Sequence, residues 1–349
     1  MRRCYLSKNY KDVNSGGNKA KTDVEKIMDK LGFVNIGLKQ TQHRSKIKGY
    51  LITLAGVLKA AFSLKKGDIL VIQYPFKKYY SFICKATHIR GGKVVTLIHD
   101  LGSFRRRRLS TKQEHKRLAN TDYIVALSPE MKEWLANNEY KQPIGILKVW
   151  DYLSDEEPKE KNFQDHAEIL YVGALNTKRH SFMYAFDKIM KPDNYSFSIY
   201  GGGFDLGLTD HKEQFNNIGF MPSDDIISSA TGNFGLVWYG HSMHEIDGAY
   251  GEWLKLTIPH KFSLYIRCHM PVIVWASSAQ ASFVKEYKVG FCINSLEDLN
   301  DKLTSLSSEE YEEMKSNVIR LCAQLKEGYY FTQAYLEAEK YFLADQFHS

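Results

Sequence analysis

Short runs of Val, Ile, Leu and aromatic residues recur along the chain, and the stretches between them repeat their apolar positions every three to four residues. The runs RRCYLS, FVNIGL, DILVIQY, KVVTLIHD, YIVALS and IGILKVW predict strands in the first half. Between them, helical spacing covers residues 18–31, 47–64, 79–88, 112–119 and 129–137. Alternation of this kind predicts a parallel sheet with helices on both faces. The segment after Trp150, DYLSDEEPKEKNFQDH, is polar, contains a proline and has no period, so it reads as a linker. A second series follows in EILYVGA, YSFSIYGGG, FNNIGFM, NFGLVWYG, MPVIVWA and VGFCI, and the chain ends in helical pattern from Ser305. The expected fold class is α/β, with two doubly wound Rossmann-like domains facing each other across a cleft. The expected boundaries are 1–152 and 153–328, with a helix over 329–349 packing back towards the first domain.

Composition adds little: 44% apolar and 25% charged residues are ordinary for a globular protein. No apolar stretch is long enough to span a bilayer and MRRCYLSKNYKD has no secretory h-region, so a cytoplasmic location is expected. The five scattered cysteines lack a C-x-x-C pair and suggest neither a disulfide framework nor a zinc site. Charge changes the picture more. Residues 1–150 hold 30 Lys and Arg against 11 Asp and Glu, whereas the remainder is net acidic. A basic half implies an anionic partner: nucleic acid, a membrane surface or a phosphate-bearing substrate. Its basic residues gather at Arg105, Arg106, Arg107 and Arg108, a run that a solvated loop would also explain. They gather again around the apolar stretch from Gly49 to Leu64, read first as a buried helix with solvated ends and second as a membrane-surface face.

In doubly wound sheets, ligands bind beyond the carboxyl ends of the strands, at helix N-termini. The second half offers four such loops, several with glycine, and Lys261 follows Pro259 at the start of an apolar helical run. A lysine there could hold a phosphate, and Arg179 in the first loop of the same domain could reach the same anion. The alternative is a surface lysine paired with Glu252 or Asp247. Tyr200-Gly201-Gly202-Gly203 is a second loop of interest, or simply a tight turn. No G-x-G-x-x-G follows the first strand and no Walker sequence is present, which disfavours an NAD-dependent dehydrogenase and an ATPase. D-x-D is also absent, so no metal-bridged diphosphate is expected and no cofactor is implied.

Six stretches together carry a resemblance: IHD at 98–100, KVWDYL at 148–153, NFGLVW at 233–238, GAYGEWLK at 248–255, PHKFSLY at 259–265 and PVIVW at 271–275. In this set the chain resembles bacterial GT-B glycosyltransferases. It is most similar to the β-1,6-galactofuranosyltransferases of O-antigen and capsule assembly, and more distantly to the glucosyltransferases that extend GlcNAc on serine-rich adhesins. The resemblance implies transfer of a hexose from a UDP-sugar to a glycan acceptor without metal, between an N-terminal acceptor domain and a C-terminal donor domain. It places Lys261 and Arg179 on the donor diphosphate and Tyr200, with Gly201 and Gly202, in a loop lining the nucleotide. Within the shared motifs it adds Trp238, Gly248, Tyr250, Glu252, Phe262 and Ser263 as donor-binding positions, Glu252 on the sugar hydroxyls. Gly16, Gly17 and Asn18 match an N-terminal loop that closes on the donor.

An inverting transfer needs a base near the attacking hydroxyl. Asp100 is the expected base because VVTLIHD delivers it to a strand's carboxyl end, with His99 beside it to orient substrate; Asp12 and Asp23 are rivals. If the acceptor is lipid-pyrophosphate-linked, the arginine run and residues 44–66 would hold the protein at the inner face of the cell membrane. Two alternatives stand beside this: a UDP-glucose-dependent glucosyltransferase, and a basic nucleic-acid-binding protein. The second is disfavoured because the aromatics are not interleaved with the basic residues, so no nucleic-acid partner is expected.

Overall fold

The computed structural model describes residues 1–10, 16–76, 79–104, 109–161, 163, 166–178 and 180–348. The chain divides into two compact units, Met1–Asp151 with Glu327–Ser349, and Tyr152–Lys326.

The first unit is built on β1 (Arg3–Tyr5), β2 (Val34–Asn35), β3 (Ile69–Tyr74), β4 (Lys93–Ile98), β5 (Tyr123–Ala126) and β6 (Ile144–Ile146). All pair in parallel, in the order β2-β1-β3-β4-β5-β6, so the strand order reverses between β1 and β3. Its helices are α1 (Gly16–Lys30), α2 (Lys46–Ser63), α3 (Tyr80–Ile89), α4 (Thr111–Leu118) and α5 (Pro129–Asn137). The central strands β3 and β4 are mostly apolar and buried along almost their whole length, as expected of parallel strands covered on both faces. Helix starts follow local chemistry. Ser110 and Gln113 form a reciprocal capping box on α4, and Ser128 caps α5 ahead of Pro129. β2 is shorter than FVNIGL suggests: the Asn35 side chain accepts from Gly37 N–H at 3.0 Å and donates to Leu38 C=O at 3.0 Å, bending the chain out of the sheet.

The second unit contains β7 (Ala167–Val172), β8 (Tyr195–Tyr200), β9 (Phe215–Gly219), β10 (Phe234–Val237), β11 (Val272–Trp275) and β12 (Gly290–Ile293). Its helices are α6 (Phe182–Asp187), α7 (Ser223–Ser229), α8 (Gly248–Leu254), α9 (His260–Arg267), α10 (Gln280–Tyr287), α11 (Asp298–Ser305) and α12 (Ser308–Glu327). The parallel order β12-β11-β10-β7-β8-β9 is that of a dinucleotide-binding Rossmann sheet, with its reversal between β7 and β10. Arg267 of α9 is fully buried and ties the linker down. Its guanidinium donates to Ser154 and Glu156 carbonyls, both at 2.9 Å, and to Cys322 Sγ at 3.1 Å. Arg267→Ala is expected to cost about 3 kcal/mol by leaving these acceptors unpaired, seen as a melting temperature lowered by several degrees. Arg267→Lys should recover little, since one ammonium lacks the planar fork that reaches all three.

The chain ends in α13 (Tyr329–His348), which belongs to the first unit. Arg3 forms a bidentate pair with Glu339, at 2.8 and 2.7 Å, and Phe33 meets the Tyr335 ring edge-on. The buried Asp151 carboxylate accepts from the Tyr330 and Phe331 N–H groups at the start of α13, and burial pushes its pKa up to about 7.

Candidate active site

In the second unit the ladder between β7 and β10 ends at Gly235–Leu170. Beyond it the Tyr265 hydroxyl bridges the two strands, accepting from Val172 N–H at 2.9 Å and donating to Leu236 C=O at 3.0 Å. Tyr265 comes this close because residue 235 is glycine; a Cβ there would lie 2.1 Å from the Tyr265 ring. Lys261 stands one helical turn before Tyr265, on the same face of α9, so its side chain passes over the point where the strand order reverses.

The Lys261 Nζ lies 4.3 Å from the ring centroids of both Tyr171 and Tyr239. A Cβ added at Gly173 would come 3.4 Å from it. The Nζ is buried and has no hydrogen-bond partner among the described residues, although an ammonium carries three donors. Burial alone pushes its pKa down to about 7. Two ring faces offset part of the lost hydration, but they accept no hydrogen bond in the plane of an oxygen. Glu252 does not pair with it: that carboxylate is exposed and bonded to Lys255 at 2.8 Å. Such a cation, at the carboxyl ends of β7 and β10 and in the first turn of a helix capped only by Pro259, suits an anion with several oxygens.

Around it the loops are fixed by contacts that the sequence pattern does not show. Tyr239 is parallel to Tyr250 at 5.7 Å and meets Trp253 edge-on at 5.6 Å. His180 packs on both tyrosines, and its Nδ1 accepts from Gly240 N–H at 3.0 Å, which puts the proton of the neutral ring on Nε2. Gly201 presses on the loop after β7, where a Cβ would be 2.1 Å from Gly173 O. Tyr171, Tyr239 and His180 are the residues that sequence reasoning missed. The available signal was weak: Tyr171 and Tyr239 each lie within two residues of a glycine near a strand's carboxyl end, and nothing in the sequence marks His180.

The other donor positions expected from the sequence sort differently. Tyr200 is not a loop residue but the last residue of β8, with its side chain buried. The Trp238 and Phe262 side chains lie in the core, Trp238 donating to Ser242 C=O at 3.0 Å and Phe262 meeting Phe283. Ser263 is also buried. Gly202 and Gly248 are exposed and Tyr250 is half-buried. Arg179 lies outside the described residues, as do Asp12 and Arg105 to Arg108.

In the first unit, Asp100 and His99 follow β4 directly, at its carboxyl end. His99 Nε2 donates to Gln73 Oε1 at 2.7 Å, an orientation set by Gln73 Nε2 donating to Lys21 C=O at 3.1 Å. The His99 ring also stacks on Trp150 at 4.4 Å, so this imidazole is fixed in place while the half-buried Asp100 comes next in the chain. Asp23 is buried in an ion pair with Lys19 at 2.7 Å. Gly16, Gly17 and Asn18 form the start of α1. Among the described residues no three His, Cys, Asp or Glu side chains gather into a metal site.

Residues 3–149 match the family described as glucosyltransferase 3-like, N-terminal domain, and residues 169–338 match its C-terminal domain. The chain is 26% identical over 272 residues to the β-1,6-galactofuranosyltransferase WbbI of Escherichia coli K12, covering 77% of this chain and 78% of that one. It is 22% identical over 330 residues to glucosyltransferase 3 of Streptococcus gordonii, covering 91% and 92%. Among solved structures it is similar to the lipopolysaccharide outer core galactosyltransferase WaaB, with a TM-score of 0.61 at 13% identity over 97% of this chain and 100% of that one. Anabaena HepE, solved with UDP and glucose, superposes with a TM-score of 0.57 at 9% identity over 97% and 99%. Two parallel Rossmann-like sheets and two family domains matched in order make one conclusion: the chain is a glycosyltransferase of GT-B fold and belongs to the glucosyltransferase 3-like family.

Proposed function

We propose that this enzyme moves galactofuranose from UDP-galactofuranose to a hydroxyl of a glycan, with inversion and without a metal ion, in the synthesis of a cell-surface polysaccharide on a lipid-pyrophosphate carrier. The observation that carries the reading is the buried Lys261 ammonium, without a hydrogen-bond partner among the described residues, at the reversal point of the second sheet. The acceptor oxygen attacks the anomeric carbon, the bond from that carbon to the β-phosphate oxygen breaks, and its electron pair leaves with UDP. The acceptor's proton passes to Asp100. Lys261, with Arg179 and the α9 N-terminus, balances the charge that grows on the diphosphate.

The galactofuranose donor is favoured by WbbI, at 26% identity against 22% for the streptococcal glucosyltransferase 3. A second reading, glucose from UDP-glucose onto GlcNAc of a glycoprotein, is favoured by the family match and by the streptococcal relative that spans 91% of the chain. Transfer and hydrolysis assayed with both UDP-sugars separate the two. The shared premise is tested more simply: UDP should raise the melting temperature of the protein, and no rise would remove both readings.

Lys261 makes UDP binding depend on pH. Its pKa near 7 in the unliganded protein must rise when a diphosphate sits beside it. Below about pH 7 Lys261 is protonated in both states and adds no pH dependence of its own; above it the free protein has lost a proton that binding must recover. The dissociation constant for UDP is therefore expected to rise with pH, approaching about tenfold per unit. Calorimetry across that range checks it, and Lys261→Met should flatten the profile.

A further inference from the structure

The sequence KIKGYLITLAGVLKAAFS of α2 is apolar on almost every side, which is the pattern of a buried helix. Only one side of it is buried. Gly49, Gly56, Val57 and Ala60 pack inward, whereas Ile47 is 74% exposed, Leu51 55% and Phe62 82%, with Tyr50 and Leu58 exposed between them. At 3.6 residues per turn these five side chains fall within an arc of about 120°, opposite the two buried glycines. Single exposed apolar residues are common, but a stripe along a helix of about 27 Å marks an interaction surface.

Charge identifies the partner. Residues 31–67 contain seven Lys and Arg and no Asp or Glu. Lys46 and Lys48 lie on opposite edges of the stripe by the same helical count. Past its carboxyl end, Lys65, Lys66 and Arg90 line a shallow depression of about 500 Å³ together with the exposed Ile89 and with His88, which is paired with Asp122 at 2.8 Å. The acid that follows, Asp68, is held by Arg2 at 2.5 Å. A second copy of the chain would bring these like charges together across a two-fold interface and be repelled. A surface of anionic phosphates above an apolar layer matches both features at once.

We propose that α2 docks the protein on an anionic phospholipid bilayer, lying in the interface with Ile47, Leu51, Leu58 and Phe62 in the acyl boundary and the flanking lysines on phosphates. It lies on the bilayer and does not cross it, since no described helix is long and apolar enough to span. The test is co-sedimentation of the full chain with phosphatidylglycerol vesicles and with phosphatidylcholine vesicles. Binding to the first at low salt, little to the second, and weakening as salt rises are expected. Ile47→Ser, Leu51→Ser and Phe62→Ser together should abolish binding with the melting temperature unchanged, because all three side chains are solvent-facing in the free protein. Lys46→Gln with Lys48→Gln should weaken partition roughly 25-fold, about fivefold for each lysine near an anionic surface. No binding to phosphatidylglycerol vesicles at low salt overturns the proposal, as does binding that survives the triple serine variant. A wild-type dimer that the triple variant converts to monomer overturns it equally.

Discussion

Lys261→Ala is expected to lower kcat/KM at least a hundredfold while leaving the protein folded and no less stable. The two halves of that expectation have one cause. A buried ammonium with no acceptor among the described residues weakens the fold, because among them its lost hydration is offset by the Tyr171 and Tyr239 rings and by no oxygen. Removing it relieves that cost, so the melting temperature without ligand should hold or rise. In the proposed reaction a diphosphate would supply the missing acceptors, and its charge would grow as the sugar leaves, so the interaction would be strongest in the transition state. Loss of one preorganised donor of this kind costs about 3 to 4 kcal/mol, which is roughly 10² to 10³ in rate. Lys261→Met, closer in shape, should behave alike and separate charge from packing. Activity near that of the wild type, or a marked fall in stability, would show that the lysine supports the fold and not the leaving group.

How much of this could be read from the chain depends on what distinguishes a residue from its neighbours in pattern. The strands are legible because parallel strands buried on both faces are mostly apolar runs between turns, as ILVI within β3 and ILYV within β7 show. Lys261 stands out for a related reason: a cation after proline, before an apolar helical run, breaks the surrounding pattern. Tyr171 and Tyr239 do not stand out, since an aromatic in or after a strand looks the same whether it fills the core or walls a site. Their role depends on Tyr265 crossing Gly235, a contact between residues 30 apart in number that no local pattern encodes. Tyr200 is misplaced by its sequence because the glycine run after it reads as a loop, while the parallel ladder to β7 extends through Tyr200 itself. In α2 an all-round apolar composition hides which side the glycines bury.

Asp100→Asn is expected to lower kcat by roughly 10² to 10⁴ while the UDP-induced rise in melting temperature stays as in the wild type. The size follows from the role: a base that takes the proton of the attacking hydroxyl contributes on that scale, and an amide of the same shape cannot take it. Donor binding should survive because the residues argued to hold UDP belong to the other unit of the chain. The neighbouring histidine sharpens the comparison. His99 is held by Gln73 and by stacking on Trp150, so His99→Ala should disturb the loop that carries Asp100 and lower kcat less than Asp100→Asn does. Asp23→Asn should act through stability instead, since it leaves the buried Lys19 ammonium without its carboxylate. Rapid-quench measurement of a single turnover with saturating donor would report the chemical step directly. A wild-type rate for Asp100→Asn there would move the base to another residue, with Asp12 next to be changed.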